Sequence, residues 1–237
     1  MDFSEVIGQQ HIKSHLTKTV ENGRIPHTQL FIGRAGSGIL PLALSYAKEI
    51  LCHSFTKGSD EYISCKNKIE KLAHPDLHFV YPVNTNENIK KNPVSDNFST
   101  EWRKFILKNP YASLYDWYQF IGIEKKQGNI SKHEAGSISK KLSLKAYEGG
   151  YKLMIIWMAD KMNTECSNQL LKLVEEPPEK TVLLLLTENA EHVLGTIQSR
   201  CQELHIPLLS EEDIYTQLTN NNQVNTSEAR KISHQSN

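Results

Sequence analysis

Leu30-Phe31-Ile32-Gly33-Arg34-Ala35-Gly36-Ser37-Gly38-Ile39-Leu40-Pro41 is the stretch on which the fold turns. A short apolar run enters a glycine-rich segment and leaves it into Leu40 to Leu51, whose spacing is helical, so the order is strand, loop, helix. Pro41 suits the first turn of that helix, where an N–H has no intrahelical partner to lose. Outward from this unit, Lys152 to Trp157 and Thr181 to Thr187 read as buried strands, and His78-Phe79-Val80-Tyr81 as another. Between the first two, Asn163 to Val174 carries helical spacing. Ser131-Lys132-His133-Glu134 reads as a capping box that opens a helix running to about Leu144. Strands alternating with helices predict an α/β fold, a parallel sheet covered on both faces.

Composition narrows the functions. The chain has 237 residues, with 27 Lys and Arg against 27 Asp and Glu and a formal net charge of zero. Zero net charge excludes a protein whose affinity comes from blanketing DNA phosphates or anionic lipid with basic residues. No stretch approaches the ~18 consecutive apolar residues of a membrane span, and Met1-Asp2-Phe3-Ser4-Glu5 lacks an apolar secretory core, so the expected compartment is the cytoplasm. Cys52, Cys65, Cys166 and Cys201 are too sparse for a disulfide scaffold and contain no C-x-x-C pair.

The glycine-rich loop keeps a phosphate-binding frame without its chemistry. A P-loop reads G-x-x-x-x-G-K-S/T: the glycines let backbone N–H groups wrap phosphates, the Lys reaches the outer phosphates and the hydroxyl holds Mg²⁺. Here Gly33, Gly36 and Gly38 supply the frame, and Ile39 and Leu40 follow where Lys and Ser or Thr belong. Nucleotide switches also place acids for Mg²⁺ and water at the end of a neighbouring apolar strand. At that point the chain has Trp157 and Met158, with Asp160 reachable only by a shifted register. Both halves of a hydrolytic site are lost together, while their surroundings persist.

These residues resemble the clamp-loader branch of the AAA+ proteins. Val6-Ile7-Gly8-Gln9 is similar to the family's opening box beside the adenine pocket, and Arg24-Ile25-Pro26-His27 precedes the P-loop strand. Asn168 to Pro178 is similar to the signature N-x-L-L-K-x-L-E-E-P-P, and Thr196 to Cys201 to T-I-x-S-R-C. The resemblance implies an AAA+ P-loop NTPase-like domain over residues 1–206, with an insertion at about 83–127. It implies that residues 207–237 begin a small helical lid that is truncated, and that the family's C-terminal collar is absent. It further implies an ATPase-inactive member of a pentamer that helps load a sliding clamp on primed DNA for DNA polymerase III, a nucleotidyltransferase. In that family the Arg of S-R-C, here Arg200, reaches in trans to the ATP of a neighbouring subunit. The alternatives are a salt bridge ending the helix for Arg200, and an ATP-hydrolysing motor subunit of the same loader for the chain.

Several features depart from the family pattern. Related subunits carry four cysteines for zinc, but only Cys52 and Cys65 stand in place here, with Lys68 and Lys71 at the next two positions. An ammonium neither donates to zinc nor tolerates it nearby. His53, His74 and His78 are possible substitutes, although His74-Pro75-Asp76 matches a motif of its own. The expectation is no metal and no other cofactor, with Cys52 and Cys65 left as buried thiols. Pro82 to Thr100 is polar and Asn-rich, and Phe98 to Phe120 holds eight of the chain's 3 Trp, 9 Tyr and 7 Phe. We read the latter as an inserted pair of short helices, packed on the core or presented to a partner. Lys90-Lys91, Lys125-Lys126 and Lys140-Lys141 are short basic pairs of the kind usually solvated. Following the resemblance, the preferred DNA contact is the helix start at Ser131-Lys132. Near the end, Ser210 to Asp213 caps a helix Ile214 to Leu218, Asn220-Asn221-Asn222 breaks it, and Ser227 to Ser233 begins another.

Overall fold

A computed structural model describes residues 1–220 and 225–235. Five strands form one parallel sheet: β1 (Thr28–Ile32), β2 (Leu77–Val80), β3 (Lys152–Trp157), β4 (Thr181–Thr187) and β5 (Gln202–His205), in the spatial order β2-β3-β4-β1-β5. The central strands β3 and β4 are buried along their whole length, because helices cover both faces. Alternate residues serve opposite layers. Phe31, Leu153, Ile155, Trp157, Leu184 and Leu186 enter one core, and Leu30, Met154, Ile156, Leu183 and Leu185 the other.

The first layer holds α1 (Gln10–Glu21), α2 (Ile39–Cys52) and α3 (Asp60–Glu70), followed by the inserted helices α4 (Ser99–Lys108) and α5 (Leu114–Phe120). The second holds α6 (Lys132–Ser143), α7 (Thr164–Glu175) and the short α8 (Gly195–Gln198). Two further helices, α9 (Glu211–Asn220) and α10 (Thr226–Gln235), pack on each other near the end. The Ser210 hydroxyl accepts from Asp213 N at 3.1 Å, as an N-cap of α9. The expected break at Asn221-Asn222 lies outside the described residues.

The insertion packs inward. Trp102 stacks on Tyr81 with ring centroids 4.0 Å apart, and meets Trp117 and Trp157 each at 5.2 Å. The Trp117 indole N–H donates to Pro82 O at 2.9 Å. Such ring pairs contribute about 0.5–1.5 kcal/mol each beyond the area they bury. Leu107, Tyr115 and Phe120 remain exposed on the outer side.

Two expectations need correction. Ser131 is the N-cap of α6, but the capping box does not form: the Ser131 hydroxyl has no partner, and Glu134 Oε2 instead accepts from Ser95 N at 2.7 Å. Ser95 begins a 3-10 turn (Ser95–Phe98) that leads into the insertion, so Glu134 serves the inserted segment rather than its own helix end. Burial raises the Glu134 pKa above the ordinary carboxylate value. Cys52 and Cys65 are not separate thiols: they form a disulfide with Cα atoms 6.0 Å apart. The end of α2 packs on the middle of α3, which brings the two buried residues face to face.

Candidate functional site

The glycine-rich loop lies at the C-terminal edge of the sheet, between β1 and α2, where open parallel sheets place their ligand crevices. Gly33 N donates to Thr187 O at 3.0 Å, fastening the loop to the end of β4. A Cβ on Gly33 would lie 2.5 Å from Ser37 Oγ and 3.2 Å from Ile206 O, so any side chain there would push Ser37 aside and crowd the backbone just after β5. Gly38 is the N-cap of α2 in the left-handed region, φ 77°. The order of strand, glycine-rich loop and helix that the sequence predicts around Gly33, Gly36 and Gly38 is in place.

Apolar side chains stand where the phosphate chemistry belongs, while Arg34 and Glu188 give the cleft a charged lining. Ile39 and Leu40 are buried at the start of α2, and Pro41 removes one N–H from the first turn that would otherwise point at an anion. Trp157 and Met158 are likewise buried at the end of β3. Asp160, the residue a register shift would have used, is committed elsewhere: its Oδ1 accepts from Thr187 Oγ1 at 3.0 Å, and Lys161 Nζ lies 2.8 Å from Oδ2. Two cleft residues escaped the sequence reading. Glu188, just after β4, lines the cleft, and burial raises its pKa. Tyr111, from the loop between α4 and α5, reaches in from the insertion. A motif search had no signal for either, since neither belongs to the loop's own pattern.

Arg200 follows α8 and is 38 % exposed at the side chain. Its Nε donates to Glu175 Oε1 at 2.5 Å, and Nη1 donates to Thr196 O at 2.8 Å. The ion pair joins the end of α7, within the Asn168 to Pro178 signature, to the S-R-C segment. Exposed pairs of this kind contribute only about 0–1 kcal/mol, so the guanidinium can leave Glu175 at little cost.

The histidines that could substitute for the missing cysteines are separated: His53 is exposed, and His78 is half-buried on β2, with its pKa lowered by burial. Cys65, His74 and Glu148 offer ligand atoms within 4.8 Å of one another. Two of these donors are committed. The Cys65 sulfur is in the disulfide, and His74 Nδ1 accepts from Asp76 N at 3.1 Å, which leaves the ring proton on Nε2, 3.2 Å from Glu148 Oε2. Burial lowers the His74 pKa, while Glu148 and Asp76 oppose the shift. Lys68 pairs with Glu148, so the lysine at a family cysteine position completes an ion pair.

Among the basic pairs, Lys126 Nζ donates to Thr85 O at 2.6 Å and Lys141 Nζ lies 2.5 Å from Asp96 Oδ1. Lys132 is exposed in the first turn of α6. Among the described residues no helix is long and apolar enough to cross a membrane.

Comparison with known proteins agrees with this geometry. The family described as DNA polymerase III, delta subunit, matches residues 8–210. The chain is 31% identical over 198 residues to the DNA polymerase III subunit delta' of Bacillus subtilis, across 83% of this chain and 46% of that one. It is 26% identical over 218 residues to the subunit tau of Escherichia coli, across 91% of this chain and 27% of that one. Among solved structures, a gamma subunit-related protein from Thermotoga maritima superposes with a TM-score of 0.51 at 16% identity, across 92% of this chain and 57% of that one. A RuvB variant from the same organism gives 0.52 at 12% identity, across 98% and 58%. At such identities the superpositions speak for the fold alone, that of the P-loop NTPases. The chain spans less than half the length of either of these two curated relatives. With the family pattern running through nearly all of the sheet and its loops, the chain belongs to the DNA polymerase III delta subunit family.

Proposed function

We propose that the chain is the nucleotide-silent, delta-prime-like part of a clamp-loader subunit, and that it lends Arg200 to ATP held by a neighbouring subunit. The observation that carries the reading is the joint replacement of both halves of a hydrolytic site by buried apolar side chains, Ile39 and Leu40 on α2 and Trp157 and Met158 at the end of β3. A triphosphate set there would meet neither the P-loop lysine nor the strand-end acids, since Ile39, Trp157 and Met158 stand in their places. The relatives named as DNA polymerase III subunits support assembly with other loader subunits, and in this reading the assembly acts on a sliding clamp and primed DNA. Helices α9 and α10 then begin the lid domain, from residue 207 onward.

Arg200 has the chemistry for the task. A planar guanidinium that stays charged at every working pH can hold two oxygens of a transferring phosphoryl group at once. Its present partner Glu175 would act as a resting place, released when a more concentrated negative charge is offered. Arginines supplied in trans accelerate phosphoryl transfer by about 10³–10⁵ in well-characterised GTPases. The test is ATP hydrolysis by the reconstituted loader, using the full-length subunit with Arg200, Arg200→Lys or Arg200→Ala. Loss of about 100-fold or more in Arg200→Ala, with little recovery in Arg200→Lys, is the expected result. Unchanged turnover in the assembled Arg200→Ala loader would sink the trans role, and Mg²⁺-dependent hydrolysis by this subunit alone would favour the motor reading.

A further inference from the structure

The cleft over the glycine-rich loop is filled by the chain itself. Tyr111 Oη accepts from Ile7 N at 2.8 Å, and a Cβ placed on Gly38 would lie 3.1 Å from Tyr111 Cε1. The ring thus lies directly on the N-cap of α2 while its hydroxyl grips the segment that precedes α1. What remains open between Gly36, Gly38, Tyr111, Met158 and Glu188 is a cavity of ≈ 50 Å³. Small-molecule sites usually offer about 300–1,000 Å³, and one water takes about 30 Å³ of liquid.

The ring is held there firmly. Tyr111 N donates to Asn109 Oδ1 at 3.0 Å, and Ala112 N donates to Asn109 O at 3.2 Å, which closes a tight turn after α4. Ser113 and Asp116 then form a reciprocal capping box that starts α5. Both helices are anchored behind the turn by Trp102, Phe105 and Trp117. Burial raises the Tyr111 pKa, so the phenol stays neutral.

We propose that Tyr111 is an intramolecular occupant of the Gly33–Gly38 cleft, through which the inserted helices exclude nucleotide and fasten the segment around Ile7 to the start of α2. The proposal rests on the non-hydrolysing reading above and adds a steric cause to it. A planar aromatic carrying a hydrogen-bond acceptor is the ligand chemistry that the vacated space would suit, with Ile7 N–H as the donor; the adenine of a nucleotide is of that class. The side chain thereby takes over the bridging role of a ligand at a site whose phosphate chemistry is gone.

The experiment uses fluorescent mant-ADP, a probe that needs no hydrolysis, with the wild-type chain, Tyr111→Phe and Tyr111→Ala. Binding by Tyr111→Ala about tenfold or more tighter than by the other two is expected. Equal affinity in wild type and Tyr111→Ala, including no binding by either, overturns the proposal. As a readout independent of the fold of Tyr111→Ala, hydrogen exchange of the Ile7 amide is read in Tyr111→Phe, which keeps the ring and loses only the acceptor. Exchange about tenfold faster than in wild type is expected. An unchanged rate overturns the proposal. Phosphate release from Mg²⁺-ATP, followed separately in the same proteins, strikes the non-hydrolysing reading and leaves mant-ADP binding and Ile7 exchange to judge Tyr111.

Discussion

Trp157 ties the proposed silence of the cleft to the packing. Its ring is buried at the end of β3 and lies 5.2 Å from Trp102 of the insertion. The position where a hydrolysing relative needs an acid has become part of the apolar core. Restoring the acid therefore does not restore the site. Trp157→Asp would trade a large buried ring for a cavity and an unpaired carboxylate, a loss of about 3–5 kcal/mol from the first effect before the second adds to it. The expected outcome is a large fall in the urea midpoint with no gain of ATPase activity, whereas Trp157→Phe keeps most of the stability. An unfolding midpoint for Trp157→Asp close to wild type would mean that the aromatic cluster does not hold this position. The replacement itself was legible in the sequence, because Trp and Met cannot hold Mg²⁺. Its cause was not legible, because Trp102 meets Trp157 only through the tertiary fold.

Among the elements, legibility followed burial. Strands β3 and β4 are apolar on both faces, and their bounds coincide with the apolar runs of the sequence. Helix α3 buries only Cys65 and Ile69, and β5 is mostly exposed, so neither leaves a periodic apolar trace that a reading of the sequence could use. The disulfide between α2 and α3 was missed for a different reason. Four sparse cysteines in a chain expected in a reducing compartment give no reason to pair any of them. Closing a loop over a sequence separation of 13 restricts the unfolded chain, an effect of about 3 kcal/mol in the loop-entropy account. Reduction, or Cys65→Ser, should lower the stability of the oxidised chain by about 2–3 kcal/mol. Urea unfolding with and without reductant reads the loss, and thiol alkylation before and after reduction should change by two groups. Full alkylation of Cys52 and Cys65 in the denatured, unreduced protein would contradict the bridge.

At the scale of the whole molecule, zero net charge sets how DNA contact can work. Without an overall attraction to phosphate, this chain alone has little to gain from a duplex, and in the proposed function contact depends on other subunits bringing a particular point against the backbone. The proposed point is the start of α6. There Lys132 is exposed in the first turn of the helix. The helix dipole adds a partial positive charge at the same end. A single lysine opposite a phosphate has a defined thermodynamic signature. Lys132→Ala in the assembled loader should weaken DNA binding by a similar factor for every sequence tested and should flatten the slope of log K against log salt by about 1. The exposed Lys90, remote from α6 in the sequence of the insertion, serves as the control whose loss leaves that slope unchanged. Equal slopes for wild type and Lys132→Ala would move the contact away from α6. A steeper dependence lost with Lys90 would instead assign it to the inserted segment, whose tight packing on the cleft would then couple DNA contact to the Tyr111 plug.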